Sequence, residues 1–268
     1  MNQITLNKNI ARKVLKVVDK GLVNGLGEAE PGKMCVEAAV CYAMGMPHGD
    51  RPQCVGSEIR DFKVALNDSW WPTDKDRTKG MRKLAIAQLG SNELDQHEFT
   101  KRLGFKCMTK VLPVILANAL KEDKDNEFAK KHVNFEGVAE VIKELKSAKD
   151  FDEAKVAARK ARDFYDAFAY ASAFAFASAF ASAFAFASAY ASASAFAFAS
   201  AFASAFAFAY ASASASAFAS ASAYASASAY AKKNRTFSLK VLNLIAKAGL
   251  DTLREMKSPG CKWLDLCN

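Results

Sequence analysis

The segment from Ala167 to Ala231 constrains this chain more than any other part of its sequence. Alanine fills every odd position of these 65 residues, and each even position holds Phe, Tyr or Ser. The segment has no charged residue and no Gly, Pro, Asn or Asp, so it lacks the residues that make tight turns. A single strand of this length would run roughly 215 Å, whereas strands seldom exceed about ten residues. A silk-like sheet or a disordered low-complexity chain is the alternative to a helix.

A 22-residue repeat underlies the alternation. The phenylalanines between positions 174 and 186 recur 22 residues later, between 196 and 208. Twenty-two residues equal two elevens, and eleven residues close three helical turns at about 3.67 residues per turn. When each residue advances by about 98°, most of the phenylalanines share one arc of roughly 165°, and most of the serines face the other way. We call the following set the aromatic face: Phe176, Phe180, Phe184, Phe186, Phe198, Phe202, Phe206 and Phe208. The sorting predicts an amphipathic helix, with alanine as the strongest helix former in the remaining positions.

A helix over the whole segment would be about 97 Å long. We expect it either to be broken and packed back onto the chain or to pair with copies of itself through the aromatic face. An eleven-residue period predicts a right-handed supercoil if such helices pair. Two membrane spans are disfavoured, because 15 serines and five tyrosines make the segment barely hydrophobic.

The remaining sequence predicts helices throughout. Apolar residues recur at helical spacing from position 4 to 22, and shorter helical patterns follow around Ile59, around Met81 and between 94 and 121. Ser69, Thr73 and Asp74 are candidate N-caps for the helix around Met81, and Pro113 is a candidate kink or helix boundary. We predict an all-α protein with three regions: a multi-helix globule over 1–150, the Ala-rich amphipathic region over 151–231, and a C-terminal helix with a docking tail over 232–268.

The charge balance is basic. The chain has 37 Lys and Arg against 28 Asp and Glu, a net charge of +9, but basic and acidic residues are mixed along the sequence. This pattern is typical of a solvated surface and also permits an anionic partner. The best candidate patch for nucleic acid follows two tryptophans, which serve either as stacking platforms or as core residues. Its cations are Arg77, Lys79, Arg82 and Lys83.

The N-terminus lacks the apolar run and cleavage site of a signal peptide. Six cysteines are too few for a disulfide scaffold in 268 residues. Together these features favour a cytoplasmic protein with reduced thiols.

Cys35 is the strongest candidate for catalysis. A cysteine just inside a helix N-terminus, after a glycine-containing turn, is where the helix dipole favours a thiolate. His48 would be the base and Asp50 would orient it, as in Cys-dependent hydrolases or transferases. Cys35 also fits as a small core residue. A zinc site at Cys35, Cys41, His48 and Cys54 is another interpretation, although its spacing lacks a CxxC pair. No nucleotide-binding or zinc-protease motif is present, and we predict no cofactor.

The stretches MCVEAAVCYAMGMPHGD, ALNDSWW, RKLAIAQLGS and PGCKWLDL resemble uncharacterised proteins of bacterial and phage genomes. The Ala-rich repeat is similar in composition to immunity-protein domains of bacterial toxin systems. Neither resemblance implies a known activity. From the residues we expect a structural or interaction protein that packs or self-associates through the aromatic face, with itself or another protein as partner. An enzyme built on Cys35 and a nucleic-acid-binding protein are the alternatives.

Overall fold

The structure, a computed structural model, describes residues 6–123, 134–166 and 235–268. These residues are 72% helical and contain no strand, which confirms the predicted all-α class. A single backbone bridge joins Gly27 to Met34. The helices described are α1 (Lys8–Val18), α2 (Val36–Ala43), α3 (Ser57–Asp68), α4 (Asp74–Ala87), α5 (Gln96–Lys106), α6 (Leu112–Asp123), α7 (Phe135–Ser147), α8 (Phe151–Asp166) and α9 (Arg235–Glu255).

Local sequence explains where several of these helices begin. Asn7 accepts the backbone N–H groups of Asn9 and Ile10 at the start of α1. Of the three candidate caps for α4, the structure uses Thr73, whose hydroxyl oxygen accepts the N–H of Asp76 at 3.1 Å and whose O–H donates to the Asp76 carboxylate at 2.8 Å. Such reciprocal capping satisfies N–H groups that the first helical turn leaves unpaired.

The chain divides into two compact units. The first comprises the residues up to Thr100 together with Ser238–Asn268, and the second runs from Lys101 to Phe237. This division places α8 in the same unit as α7, and most of α9 with the first hundred residues. The predicted boundaries lie elsewhere, at 150 and 231. The boundary at 231 falls outside the described residues, and the three-region division stays a prediction.

In the first unit, α1 packs on α2 and α4, and α3 contacts both α2 and α4. Two glycines permit close approaches within this unit. The ring of Trp71 occupies the space that a side chain at Gly80 would need, and the ring of Phe62 does the same at Gly249 of α9. A larger residue at either position would force these elements apart.

The C-terminal tail forms a 3₁₀ segment, Pro259–Cys267, that packs on α4 and α1. Trp263 is buried, and the Ser258 hydroxyl donates to the carbonyl of Ala87 at the end of α4. The predicted docking of this tail is confirmed.

In the second unit, α7 packs against α6 and α8. A π-helical segment, Cys107–Val111, joins α5 to α6 in one uninterrupted helical run, and Pro113 lies two residues after it. Pro113 therefore does not end a helix but follows a local change of helical geometry, which is a common way to accommodate a residue without an N–H group. Lys160 of α8 donates to Glu144 of α7 at 2.8 Å across the exposed side of this pair.

Candidate functional site

Cys35 is the N-cap of α2. Its backbone N–H donates to the Leu26 carbonyl at 3.2 Å, and its sulfur accepts the N–H of Ala38 at 3.4 Å. The placement at a helix N-terminus agrees with the sequence. The side chain, however, is only 3% exposed.

This burial decides the protonation state of the thiol. Desolvation raises the pKa of Cys35 to about 11, with a smaller rise from the negative charge of Glu37 and only partial opposition from the Ala38 N–H. Burial likewise raises the pKa of Cys41 to about 12. The helix terminus was expected to favour a thiolate, but the low dielectric around Cys35 outweighs it. Cys35 is therefore a protonated thiol at neutral pH.

The predicted histidine base has a different partner. His48 is exposed, and its Nε2 lies 3.0 Å from the carbonyl oxygen of Gly27. Asp50 is half-buried, and its carboxylate lies 4.0 Å from Nε of the neighbouring Arg51. Within the described ranges, no hydrogen bond joins Cys35, His48 and Asp50 in sequence, so the structure does not assemble them as a triad.

The zinc interpretation also lacks an assembled ligand set. In the part of the chain that the structure describes, no three His, Cys, Asp or Glu side chains come together in a way that could hold a metal ion. Cys35, Cys41 and Cys54 are buried, whereas His48 lies at the surface.

Sequence reasoning missed the most unusual polar group of this region, an ion pair between Glu37 of α2 and Lys63 of α3. Both side chains are fully buried, and the Lys63 ammonium donates to Oε1 of Glu37. Oε2 of Glu37 and both amide atoms of Gln88 are buried without a hydrogen-bond partner among the described residues. Gln88, the residue that follows α4, lies close enough to Glu37 to lower its pKa, so the three side chains form a buried polar cluster.

Burial disfavours charge on both partners. It raises the pKa of Glu37 and lowers the pKa of Lys63, and each partner opposes the shift of the other. The pair therefore depends on its own mutual contact for stability in the core. The sequence does contain a sign that these two charged residues are buried. Lys63 lies between the core residues Phe62 and Leu66, and Glu37 lies inside the apolar run of α2.

The predicted nucleic-acid patch separates into internal and exposed cations. Arg77 is buried, donates from Nε to the Asn67 carbonyl at 2.8 Å and pairs with Asp74. Trp71, expected either to stack on bases or to pack in the core, is buried, and its Nε1 donates to the Leu66 carbonyl at 2.8 Å.

The other three cations of the patch also differ in their exposure and in their partners. Arg82 binds the Asp19 carboxylate with two hydrogen bonds, at 2.6 and 3.1 Å. Lys79 and Lys83 are exposed on α4. The four residues thus form no continuous surface, because Arg77 faces the interior.

The eight residues of the aromatic face, Phe176 to Phe208, lie outside the described residues, so their predicted role stays a prediction. Over the described part of the chain, no helix combines the length and apolar character needed to cross a membrane.

Comparison with known proteins gives no further guide to function. No protein-family model matches the sequence, and no curated protein and no solved structure matches it significantly.

Proposed function

We propose that this chain is an interaction protein, in which a folded helical body presents the Ala-rich segment for association with a second copy. The observation that carries the proposal is the sorted 22-residue repeat. When each residue between 174 and 208 advances by about 98°, eight phenylalanines share one arc and most of the serines fall in the opposite one. A pattern with no packing role would mix the two residue types.

The helices on either side support this proposal. The segment follows α8, which belongs to the second unit, and precedes α9, most of which belongs to the first. Both of its ends are thus attached to folded helices rather than to free termini.

The chemistry of the described residues also favours an interaction role over catalysis. The candidate nucleophile Cys35 is buried and protonated, and its proposed base His48 has another partner. A second copy is the simplest occupant for the aromatic face, because alanines permit close helix approach and each fully buried Phe contributes about 1.5–3 kcal/mol.

Light scattering coupled to size exclusion tests the proposal on the full chain. We expect a mass of at least two chains at micromolar concentration. Replacing Phe180, Phe184 and Phe202 with Ser should shift the protein toward the monomer, because all three lie on the aromatic face.

A matched control is available in the same segment. Phe174, Phe196 and Phe218 occupy one position of the 22-residue repeat, on the serine side. Their replacement with Ser makes the same chemical change and should leave the mass unaltered. A monomeric wild type, or equal dissociation by both triple variants, would contradict the proposal.

A further inference from the structure

A concave surface of about 520 Å³ lies in the first unit, between α1, α4 and the C-terminal 3₁₀ segment. Four cations and one carboxylate line it: Arg12, Lys16, Lys20, Arg82 and Asp19. We call this surface the basic cleft. None of the residues that line it belongs to the Ala-rich segment.

Helix geometry aligns three of the cations. Arg12, Lys16 and Lys20 are spaced by four residues along α1 and the turn that follows it, so they share one side at a rise of about 6 Å per step. All three are exposed. The other side of α1 is anchored in the core, since Val14 and Val18 have no exposed surface.

Arg82 neutralises the carboxylate in the cleft. Its Nε and one terminal nitrogen bind both oxygens of Asp19, and its other terminal nitrogen donates to the Cys267 carbonyl at 2.8 Å. Arg82 thereby holds the wall of the cleft in place, and the remaining cations supply its net positive charge. Among the described residues, Lys16 and Lys20 have no ion-pair partner, and Arg12 donates to the neutral side chain of Asn9 at 3.0 Å.

A row of unpaired cations in a concavity concentrates positive potential. From this arrangement we propose that the basic cleft binds the phosphate backbone of a single nucleic-acid strand. Regularly spaced cations match a ligand with regularly spaced phosphates. The described residues that line the cleft include no aromatic ring, so binding rests on the backbone and is independent of base sequence.

An anionic membrane fits this surface less well. Peripheral membrane binding uses a protruding face with apolar side chains that enter the lipid. Here the cations lie in a depression, and its two apolar lining residues do not protrude: Leu15 is 5% exposed and Leu266 is half-buried.

Fluorescence anisotropy of the full chain with a labelled 12-nucleotide single-stranded DNA of mixed sequence tests the proposal. For three phosphate contacts we expect a plot of log affinity against log salt concentration to have a slope of about −2. The Lys16→Gln/Lys20→Gln variant should lose at least tenfold in affinity in 50 mM salt, and its slope should fall to about −0.7, since one contact remains.

A second double variant controls for total charge. Lys143→Gln/Lys146→Gln removes two exposed cations from α7 and should change the affinity less than twofold. Circular dichroism melting confirms that both double variants are folded.

Three results would overturn the proposal. The first is no binding of the wild type in 50 mM salt, and the second is an equal loss in both double variants. The third is binding to vesicles of anionic phospholipid, dependent on Lys16 and Lys20, by a protein that does not bind the oligonucleotide.

Discussion

Two ion pairs in the first unit each join a carboxylate to a cation from another helix or turn, but their surroundings differ. Glu37 and Lys63 join α2 to α3 with no exposed side-chain surface, whereas the side chains of Asp19 and Arg82 are 45% and 27% exposed. Removing one partner of a buried pair costs about 3–5 kcal/mol, because the other is left without compensation. An exposed pair contributes about 0–1 kcal/mol. The buried pair should therefore matter for the stability of the fold, whereas the exposed pair mainly fixes two side chains in the wall of the basic cleft.

The largest expected effect is that of breaking the buried pair. Lys63→Met keeps the volume of the side chain but leaves Glu37 alone in the core, and it should lower the free energy of unfolding by about 3–5 kcal/mol at pH 7. Urea denaturation followed by circular dichroism measures the change. A loss below 1 kcal/mol would mean that the pair is solvated and that the two sites do not differ.

Removing both charges should recover much of this loss. Glu37→Leu/Lys63→Met replaces the pair with apolar groups, and such replacements are often neutral or stabilising. We expect the double variant to be more stable than Lys63→Met alone in the same urea titration. A double variant that is less stable than the single one would contradict this.

The same single variant gives a pH test. Burial raises the pKa of Glu37, and Lys63→Met removes the charge that opposes this rise. The folded variant thus prefers the neutral carboxyl, so its deficit relative to the wild type should be smallest below pH 4, under the ordinary Glu value of about 4.3. The deficit should then grow as pH rises toward 7, by at most about 1.4 kcal/mol per pH unit. Urea titrations of both proteins across this range measure it, and a deficit independent of pH would argue against an uncompensated carboxylate.

Breaking the exposed pair should have a smaller effect. Arg82→Gln removes the Asp19 contact and the hydrogen bond to Cys267, which together should cost about 1–2 kcal/mol. High salt should reduce this difference, because it screens the ion pair. Lys8→Gln is the matched control, since Lys8 pairs with Asp265 at 2.6 Å at an exposed site, and it should cost under about 1 kcal/mol. A loss for Arg82→Gln as large as that for Lys63→Met would erase the contrast between the pairs.

The smallest expected effect is on the rate at which the cysteine thiols react with an alkylating reagent. A buried thiol should react more slowly than an exposed one. Cys35 is buried, whereas Cys261 is partly exposed. Iodoacetamide at pH 7.5 should modify Cys261 before Cys35, and denaturant should make all six cysteines reactive. Mass spectrometry of peptides after timed quenching gives the order. Faster labelling of Cys35 would support its role as a nucleophile.

Local signals were predictable from the sequence. The cap at Thr73 depends on residues within one helical turn, and the docking of Trp263 follows from apolar residues beyond a Pro-Gly break. These features need no knowledge of distant partners.

The surroundings of Arg77 and Cys35 could not be predicted from the sequence, because they depend on how the helices pack. From the sequence alone Arg77 is expected to be a surface cation. In the structure it donates to the carbonyls of Asn67 and Leu22. Cys35 occupies the expected helix terminus, but the surrounding core reverses the expected effect on its pKa. For Arg77, one acceptor, the Leu22 carbonyl, lies 55 residues away in the chain, and the burial of Cys35 depends on the packing of α2 against α1 and α3.

We propose that the Ala-rich segment is helical and associates through its aromatic face. Far-UV circular dichroism of the wild-type chain, compared above and below the concentration at which light scattering detects association, tests it most directly. We expect a helical spectrum with minima near 208 and 222 nm, stronger per residue than the described helices alone can supply, and a higher melting temperature at the higher concentration. A single minimum near 217 nm, or a melting temperature independent of concentration, would contradict it.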